Sequence, residues 1–415
     1  MQKKLIALAV AGAAAGFAAP VFAQSNVTVY GVIDVGVESA RYSDAAGTLN
    51  RVMTSGNTTN RIGFKGTEDL GNGMKANFVL EGQPYPDVGT QGSSSAGNGN
   101  TWHRTSTVGL SSASWGSVNL GSQYTPWFSA RAANDIFYTA GAGSNYTNFE
   151  RSNTRISNSI RYDSANYNGF SMAAAYGFGQ AAGYDTQEGQ AGSSAATATP
   201  SNQTNKKLGQ LVGLNLQYAN GPMALRYGYE RYTIGQAGAA VGSGDLSSKA
   251  NTINGSYDFQ VVKLVAGWAS FKNDVTATTA FGNTVGATAG ATYNSLAVMA
   301  PADEKSWYIG GVVPVFGSDL LKAEYSRLKD NTATAATGSK DVKMIALGYE
   351  HPMSKRTTLY ANYAKLSNDS GAQRQFLSDN PVGVCTGATD AIIATGCLRP
   401  GYDPSSFQVG VRHMF

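Results

Sequence analysis

The sequence predicts an all-β protein, a sixteen-stranded antiparallel β-barrel that spans a membrane. Three observations support this fold class. The chain begins with a segment typical of exported proteins, its stretches of period-two hydrophobicity are joined alternately by short and long connections, and it ends inside such a stretch on Phe415. Because successive side chains of a strand point to opposite faces, these stretches predict a sheet with one apolar and one polar face.

Residues 1–23 are predicted to be a secretory signal peptide. Lys3 and Lys4 supply the positive charge at its start, a small and apolar stretch follows, and Val21-Phe22-Ala23 is typical of a cleavage site. The apolar stretch has fewer than about 18 residues, whereas a membrane-spanning helix needs roughly 20. We therefore expect residues 24–415 to form the barrel domain outside the cytoplasm.

The last nine residues show the alternation most clearly. Phe407, Val409, Val411 and Phe415 would share one face of a strand, with polar side chains on the other. A soluble protein seldom ends inside a strand on an exposed phenylalanine, whereas the final strand of an outer-membrane barrel closes the sheet. Phe415 is therefore predicted to lie at the barrel closure, and it resembles the signal that the bacterial barrel-insertion machinery reads.

The composition is consistent with a membrane barrel. Mean hydropathy is −0.22, a value that a barrel can share with soluble proteins because polar lumen-facing residues dilute the lipid-facing ones. The 50 glycines, 22 tyrosines and 16 phenylalanines suit tight turns and aromatic girdles, and charged residues make up only 14%. A net charge of +4 is too balanced to indicate binding to nucleic acid.

Cys385 and Cys397 are the two cysteines of the chain, and both fall in one predicted loop. In an exported protein such a pair usually forms a disulfide. A metal site is the alternative, but no histidine lies near in sequence to complete a ligand set. We expect a disulfide that closes this loop, and neither a metal ion nor a cofactor.

Sixteen segments with period-two character follow the signal peptide. They lie near 27–38, 59–69, 74–82, 103–111, 117–124, 154–163, 169–178, 208–218, 222–232, 250–258, 261–271, 305–314, 319–328, 341–350, 357–366 and 405–415. Backbone polar groups in hydrocarbon must all be paired, so an even number of strands with alternating turns and loops predicts a closed barrel. A soluble solenoid or sandwich is the alternative, but it explains neither the signal peptide nor the terminal phenylalanine.

The same alternation assigns charged residues to the lumen. In the first strand Asp34 and Glu38 alternate with valines, and in the sixth Arg155 and Arg161 alternate with residues that include Ile156. A charged side chain on the lipid face would cost roughly 2–4 kcal/mol near the membrane midplane, so these residues are expected to face inward. A barrel of sixteen strands is too wide for side chains to fill, which predicts a water-filled lumen.

Several segments resemble a known family. The matching stretches are Val27–Asp34, Arg61–Gly71, Asn158–Tyr162, Leu347–Tyr349 with Ser354–Thr357, and Val409–His413. Their order and spacing are similar to those of Gram-negative general diffusion porins of the β-proteobacterial branch. The resemblance implies a homotrimer in the outer membrane, amid lipid and lipopolysaccharide, with one channel per subunit for ions and small hydrophilic solutes.

The resemblance also implies a pore constriction, made by a third long loop that folds inward. That loop is Thr125 to Thr154, and it carries Arg131, Asp135 and Glu150. Anion-selective members of the family place a few arginines on the opposite wall, and the matching positions here are Arg61, Arg104 and Arg155, with Lys65 on the face of Arg61.

Two questions stay open for these residues. Asp135 and Glu150 either oppose the arginines across the pore or pair with arginines and hold the loop in place. Arg104 shares parity with the apolar Val108 and Leu110, so either a bulge turns it inward or its face meets a neighbouring subunit.

A wall of arginines predicts a preference for small anions. Guanidinium groups keep their charge at any working pH, and the low-dielectric barrel focuses their field. One pattern in the family has two adjacent basic residues where this chain has Arg104-Thr105, which predicts a weaker preference here. The alternatives are a substrate-specific channel, or an adhesin or surface antigen acting through loops at 179–207, 272–304 and 367–404. No enzyme is expected, because the sequence lacks the common hydrolase, metalloprotease and P-loop motifs.

Overall fold

The computed structural model describes residues 26–43, 47–91, 101–150, 152–178, 209–236, 245–274, 302–332, 338–376 and 400–415. The predicted signal peptide and the cysteine pair lie outside these ranges. Most of the three long loops proposed as adhesive surfaces lies outside them too. The predictions for these parts of the chain stay predictions.

Sixteen antiparallel strands form one closed sheet, as predicted. They are β1 (Asn26–Ser43), β2 (two parts, Gly47–Thr54 and Arg61–Gly71), β3 (Met74–Gly82), β4 (Thr105–Ser112), β5 (Gly116–Tyr124), β6 (Arg155–Ser164), β7 (Phe170–Phe178), β8 (Gln210–Asn220), β9 (Met223–Gln236), β10 (Asp245–Asp258), β11 (Lys263–Asn273), β12 (Asp303–Val315), β13 (Asp319–Asp330), β14 (Val342–Pro352), β15 (Thr357–Asn368) and β16 (Ser405–Met414). Each strand pairs with the next one along the chain. A two-residue ladder, Pro84–Tyr85 with Thr90–Gln91, lies outside the barrel sheet.

The barrel closes where β16 pairs with β1. The ladder runs from Val32, opposite Met414, to Arg41, opposite Ser405. Beyond it, Gly31 and Phe415 exchange two backbone hydrogen bonds of 3.1 Å each. Closure gives every strand two neighbours, so the sheet has no edge that would expose unpaired backbone groups to lipid.

Tight turns and long connections alternate as predicted. The turn after β2 contains Asn72 and Gly73 with φ values of 51° and 75°, a conformation that these two residue types adopt readily. The stretch 39–58 differs from its prediction as a connection. There β1 continues to Ser43, and the first part of β2 pairs with it before the strand is interrupted at residues 55–60.

The two faces of the sheet differ in polarity. On the outer face Val27, Val29 and Val37 are between 54% and 62% exposed, whereas Asp34 and Glu38 are fully buried on the inner face. The prediction for Ile156 was wrong, because the ladder between β5 and β6 shifts register and Asn158 has a φ of 49°. This bulge turns Ile156 to the inner face, where it packs over Gly177.

Aromatic side chains gather near the tight turns. The rings of Phe170 and Tyr218 have centroids 4.5 Å apart, and so do those of Tyr257 and Phe259. Phe170, Tyr257 and Phe259 are also exposed, which is typical of the aromatic girdle of an outer-membrane barrel. Among the described residues no helix is both long and apolar enough to cross a membrane.

Gly31 offers a test of the closure. A Cβ at this position would lie 2.3 Å from Cζ of Phe415 and 2.8 Å from the carbonyl oxygen of Arg61. We therefore expect Gly31→Ala to lower the free energy of unfolding by about 1–3 kcal/mol through overpacking. A urea titration of the refolded protein, followed by heat-modifiable electrophoresis, measures this loss.

The matched control is Gly311→Ala on β12. Its added Cβ would meet only ordinary contacts, the nearest being Cδ2 of Leu264 at 3.4 Å. Equal stability of the two variants would contradict the role assigned to the Gly31–Phe415 contact.

Candidate functional site

Three predicted site residues lie close together on one wall of the barrel. Arg61 starts the second part of β2, Arg104 immediately precedes β4, and Arg155 starts β6. Strands β2 to β6 are consecutive neighbours in the sheet, and all three residues lie at the ends away from the tight turns. Arg61, Arg104 and Arg155 are called the arginine cluster below.

Tyr124 and Glu81 hold the cluster together. The hydroxyl oxygen of Tyr124 accepts hydrogen bonds from Nη2 of Arg104 at 2.7 Å and from Nη2 of Arg155 at 2.9 Å. Nε of Arg104 donates to Oε1 of Glu81 at 2.7 Å, and the hydroxyl of Tyr30 donates to Oε2 of Glu81 at 3.0 Å. Charge-assisted bonds of this kind are short and roughly twice as strong as neutral ones.

Arg104 points inward although strand parity places it outward. β4 begins only at Thr105, which pairs with Glu81, so the alternation of β4 does not extend to Arg104. Its side chain is 2% exposed and bonds to Glu81, which lies opposite Gly63 on the inner face. The parity conflict therefore comes from a local break in the strand.

Arg61 and Lys65 lie on the inner face of β2. They pair across the sheet with Val32 and Thr28, which belong to the polar face of β1. Nζ of Lys65 lies 5.1 Å from the ring centroid of Tyr30. Nε of Arg61 donates to a backbone carbonyl at 3.3 Å, and its charge acts on the neighbouring Glu81 and Tyr124 side chains.

Segment 125–154 contains two short helices and packs against other strands. Helix α1 (Pro126–Ala132) is capped by Thr125, whose hydroxyl accepts from the amide of Phe128. Helix α2 (Asn145–Phe149) is capped in the same way by Ser144. α1 lies against β8 and β9, where a Cβ at Gly213 would come within 2.9 Å of Pro126, and one at Gly228 within 3.0 Å of Ala130.

The rest of the segment bonds to inner-face side chains further round the barrel. Nδ2 of Asn134 donates to Oδ1 of Asn254 on β10 at 2.8 Å, and Nδ2 of Asn145 donates to Glu324 on β13. The amide of Ala142 donates to Oε1 of Gln408 on β16 at 3.2 Å. Gln408 lies opposite Glu38 in the sheet, on the polar face.

Asp135 holds the segment in its shape. Its carboxylate accepts from the amide of Phe137 at 2.8 Å, from the hydroxyl of Ser144 at 2.6 Å and from the amide of Tyr146 at 3.2 Å. Sequence reasoning proposed Asp135 for the constriction, and the structure places it among these three donors with a residue exposure of 5%.

Glu150 and Arg131 form a buried ion pair. Nε of Arg131 lies 3.1 Å from Oε1 of Glu150, and the hydroxyl of Ser306 on β12 donates to the same oxygen at 3.1 Å. Burial raises the pKa of the Glu150 carboxyl, and the charge of Arg131 opposes that shift. Glu150 thus pairs with an arginine of its own segment and is tied to the barrel by a hydroxyl group.

A second polar cluster on the inner wall was not proposed from the sequence. Tyr138 of the segment has Nζ of Lys322 3.9 Å from its ring centroid and the guanidinium of Arg412 5.3 Å away. Its hydroxyl donates to Glu350 at 3.3 Å, and Glu350 is paired with Lys322. Strand parity could have found Lys322 and Glu350, since both alternate with apolar residues in predicted strands.

Comparison with known proteins identifies similar chains. A family model described as Gram-negative porin matches residues 7–371. Outer membrane porin protein 32 of Delftia acidovorans is 30% identical over the full length of both chains. Major outer membrane protein P.IB of Neisseria gonorrhoeae is 26% identical, with 90% of this chain and 96% of the relative covered.

Two solved porin-type barrels are similar to this chain in structure. An anion-selective porin from Comamonas acidovorans has a TM-score of 0.68 and 26% identity, with 94% of this chain and all of that chain covered. OmpT of Vibrio cholerae in a trimer form has a TM-score of 0.59 and 16% identity, with 94% and 99% covered. The second similarity concerns the fold alone.

Asp135→Ala tests whether this carboxylate holds segment 125–154. The change leaves three donors without their acceptor, so amide exchange of Phe137 and Tyr146 is expected to rise by about 10- to 100-fold. Hydrogen exchange of the folded protein in detergent, read by mass spectrometry, measures it. Asp135→Asn retains one acceptor oxygen and should give an intermediate rate. Unchanged exchange in the alanine variant would contradict the assigned role.

Proposed function

We propose that this chain, which belongs to the Gram-negative porin family, admits small anions in preference to cations through its arginine cluster. The protein is an outer-membrane porin of a Gram-negative bacterium, and its closed barrel is a channel for passive diffusion of ions and small hydrophilic solutes. The relatives are channels, and no catalytic step is part of the proposal. The observation that carries the selectivity is the convergence of Arg104 and Arg155 on one hydroxyl group.

Segment 125–154 would narrow the channel by folding into the barrel. In support, its side chains and amides bond to inner-face residues of β10, β13 and β16, and α1 packs on β8 and β9. Of these strands, β10 and β13 lie half-way round the closed sheet from β2 to β6, whereas β8, β9 and β16 lie at its sides. The open path would then run between the arginine cluster and the part of the segment that follows α1, since α1 itself contacts Tyr124 beside the cluster.

The charges on the two sides of this path are unequal. The arginine cluster and Lys65 contribute positive charge, and Glu81 is the carboxylate bonded within the cluster. Across the path, the charges of Arg131 and Glu150 compensate each other in a buried pair, and the Asp135 carboxylate, which is bonded to uncharged donors, adds one negative charge that is smaller than the positive excess of the cluster. The net field is positive, and a narrow low-dielectric opening concentrates it, so anions are enriched and cations are repelled.

The proposal extends to the assembly and its insertion. We propose a homotrimer, supported by a fold relative that has been solved in a trimer form. Phe415 would serve as the recognition signal for the barrel-insertion machinery, and lipid and lipopolysaccharide would surround the exposed outer face. Cys385 and Cys397 would close their loop by a disulfide.

The first test is the wild-type protein in a planar bilayer across a KCl gradient. Conductance steps in groups of three, with a zero-current potential of the sign for chloride, are expected. A potential of the opposite sign would leave the porin assignment intact and contradict the anion preference.

Glu81→Gln tests the balance of charge in the cluster. The variant keeps one acceptor oxygen for Arg104, replaces the oxygen that accepts from Tyr30 with an amide NH2 group and removes the negative charge. The ratio of chloride to potassium permeability is therefore expected to rise by about two-fold or more. The control is Asp258→Asn at an exposed tight turn, which removes the same charge far from the cluster. An equal rise in both variants would show that the effect comes from net charge and not from position.

A further inference from the structure

We propose that Tyr124 is a positioning residue for selectivity, because it fixes the arginine cluster and joins it to segment 125–154. The inference rests on the proposed anion preference and assigns to one side chain the geometry on which that preference depends. Tyr124 is the last residue of β5, the strand that lies between β4 and β6. It stands between Arg104, which precedes β4, and Arg155, which starts β6.

The hydroxyl oxygen of Tyr124 brings two like charges together. A phenolic oxygen has two lone pairs, and here one accepts from Arg104 and the other from Arg155. Two guanidinium groups repel each other, so a shared acceptor is needed to keep both pointing at the same place. The guanidinium carbon of Arg155 also lies 4.5 Å from the centroid of the Tyr124 ring, in a cation–π contact.

The ring of Tyr124 connects this pair to the segment. It stacks on Phe128 of α1 with a centroid distance of 4.8 Å and an interplanar angle of 16°. Phe128 in turn meets the edge of Tyr146 at 5.1 Å. The hydroxyl of Tyr146 is 2.7 Å from Oγ1 of Thr154, at the other end of the segment.

The backbone of Tyr124 is held as well. Its carbonyl oxygen accepts from Nη1 of Arg161 at 2.7 Å, and the same nitrogen donates to Oγ of Ser129 in α1 at 3.1 Å. Arg161 is itself oriented by Asp163, with Nη2 and Oδ1 2.6 Å apart. Tyr124 thus binds the arginine cluster through its hydroxyl, segment 125–154 through its ring and the barrel wall through its carbonyl oxygen.

Tyr124→Phe separates these contributions. The variant keeps the ring stacked on Phe128 and under Arg155 but removes the shared acceptor. The ratio of chloride to potassium permeability in a planar bilayer is expected to fall by about three-fold, while single-channel conductance stays within roughly a fifth of the wild-type value. A role limited to packing would leave the ratio unchanged.

Tyr146→Phe is the matched control. It removes the hydroxyl of another half-buried tyrosine in the same aromatic contact, one that bonds to Thr154 and not to an arginine. Its permeability ratio is expected to equal that of the wild type. An equal fall in both variants would overturn the proposal, because the loss would then reflect the segment in general.

Arg155→Lys is a second test of the positioning role of Tyr124. It gives the answer if the Tyr124→Phe variant does not fold. Lysine keeps the charge but lacks the planar fork that reaches the hydroxyl while lying over the ring. The proposal expects a fall similar to that of Tyr124→Phe, and wild-type selectivity in this variant would overturn it. A wild-type protein without anion preference would instead contradict the proposed function, so the two failures are distinguishable.

Discussion

The requirement that every backbone group in hydrocarbon finds a partner governs this molecule. Lipid offers no hydrogen bonds, so the sheet must close, and it closes where β16 meets β1. Closure divides the side chains into an apolar outer set and a polar inner set. The inner set then bonds with water, with its own members, with segment 125–154 and with other loop residues such as Asn57, whose amide donates to Asp34 at 2.9 Å. The site therefore follows from the closure of the sheet, because closure gathers charged side chains around one shared space.

Within that space the polar groups perform two distinct tasks. Asp135, the Arg131–Glu150 pair and Asn134 are buried and bonded. Asp135 holds segment 125–154 in its shape, and the other residues fix the segment against β10 and β12. The arginine cluster lies on the other side, where Glu81 pairs with Arg104 and the uncharged Tyr124 leaves the remaining positive charge of the cluster in place. Buried charges are tolerated when they are paired, and Arg104, which is 2% exposed, is paired with Glu81 in the same way. The structure thus uses paired charges for architecture, and in the proposed function the excess positive charge of the arginine cluster provides the selectivity.

Period-two patterns were enough to predict the sixteen strands, their closure and the inward direction of Arg61 and Lys65. They failed where the backbone departs from a regular strand. The bulge at Asn158 turns Ile156 to the inner face. Arg104 points inward because β4 begins only at Thr105. Residues 47–54 form part of a strand where a connection was predicted. Glu81 and Tyr124 could not be found as partners, because their contacts depend on inter-strand register. Register is set by the whole sheet and leaves no local mark in the sequence.

Gly213 and Gly228 help to position segment 125–154 because they have no side chains. The missing side chains form a shallow recess in the inner wall, and α1 lies in it. The recess lets α1 approach the wall of β8 and β9 closely, and it does so without any charged atom. In the proposed pore, the width of the passage and its electrical character would therefore depend on different residues on different strands. Selection, or a protein engineer, could alter the size limit for solutes and the preference for charge one at a time.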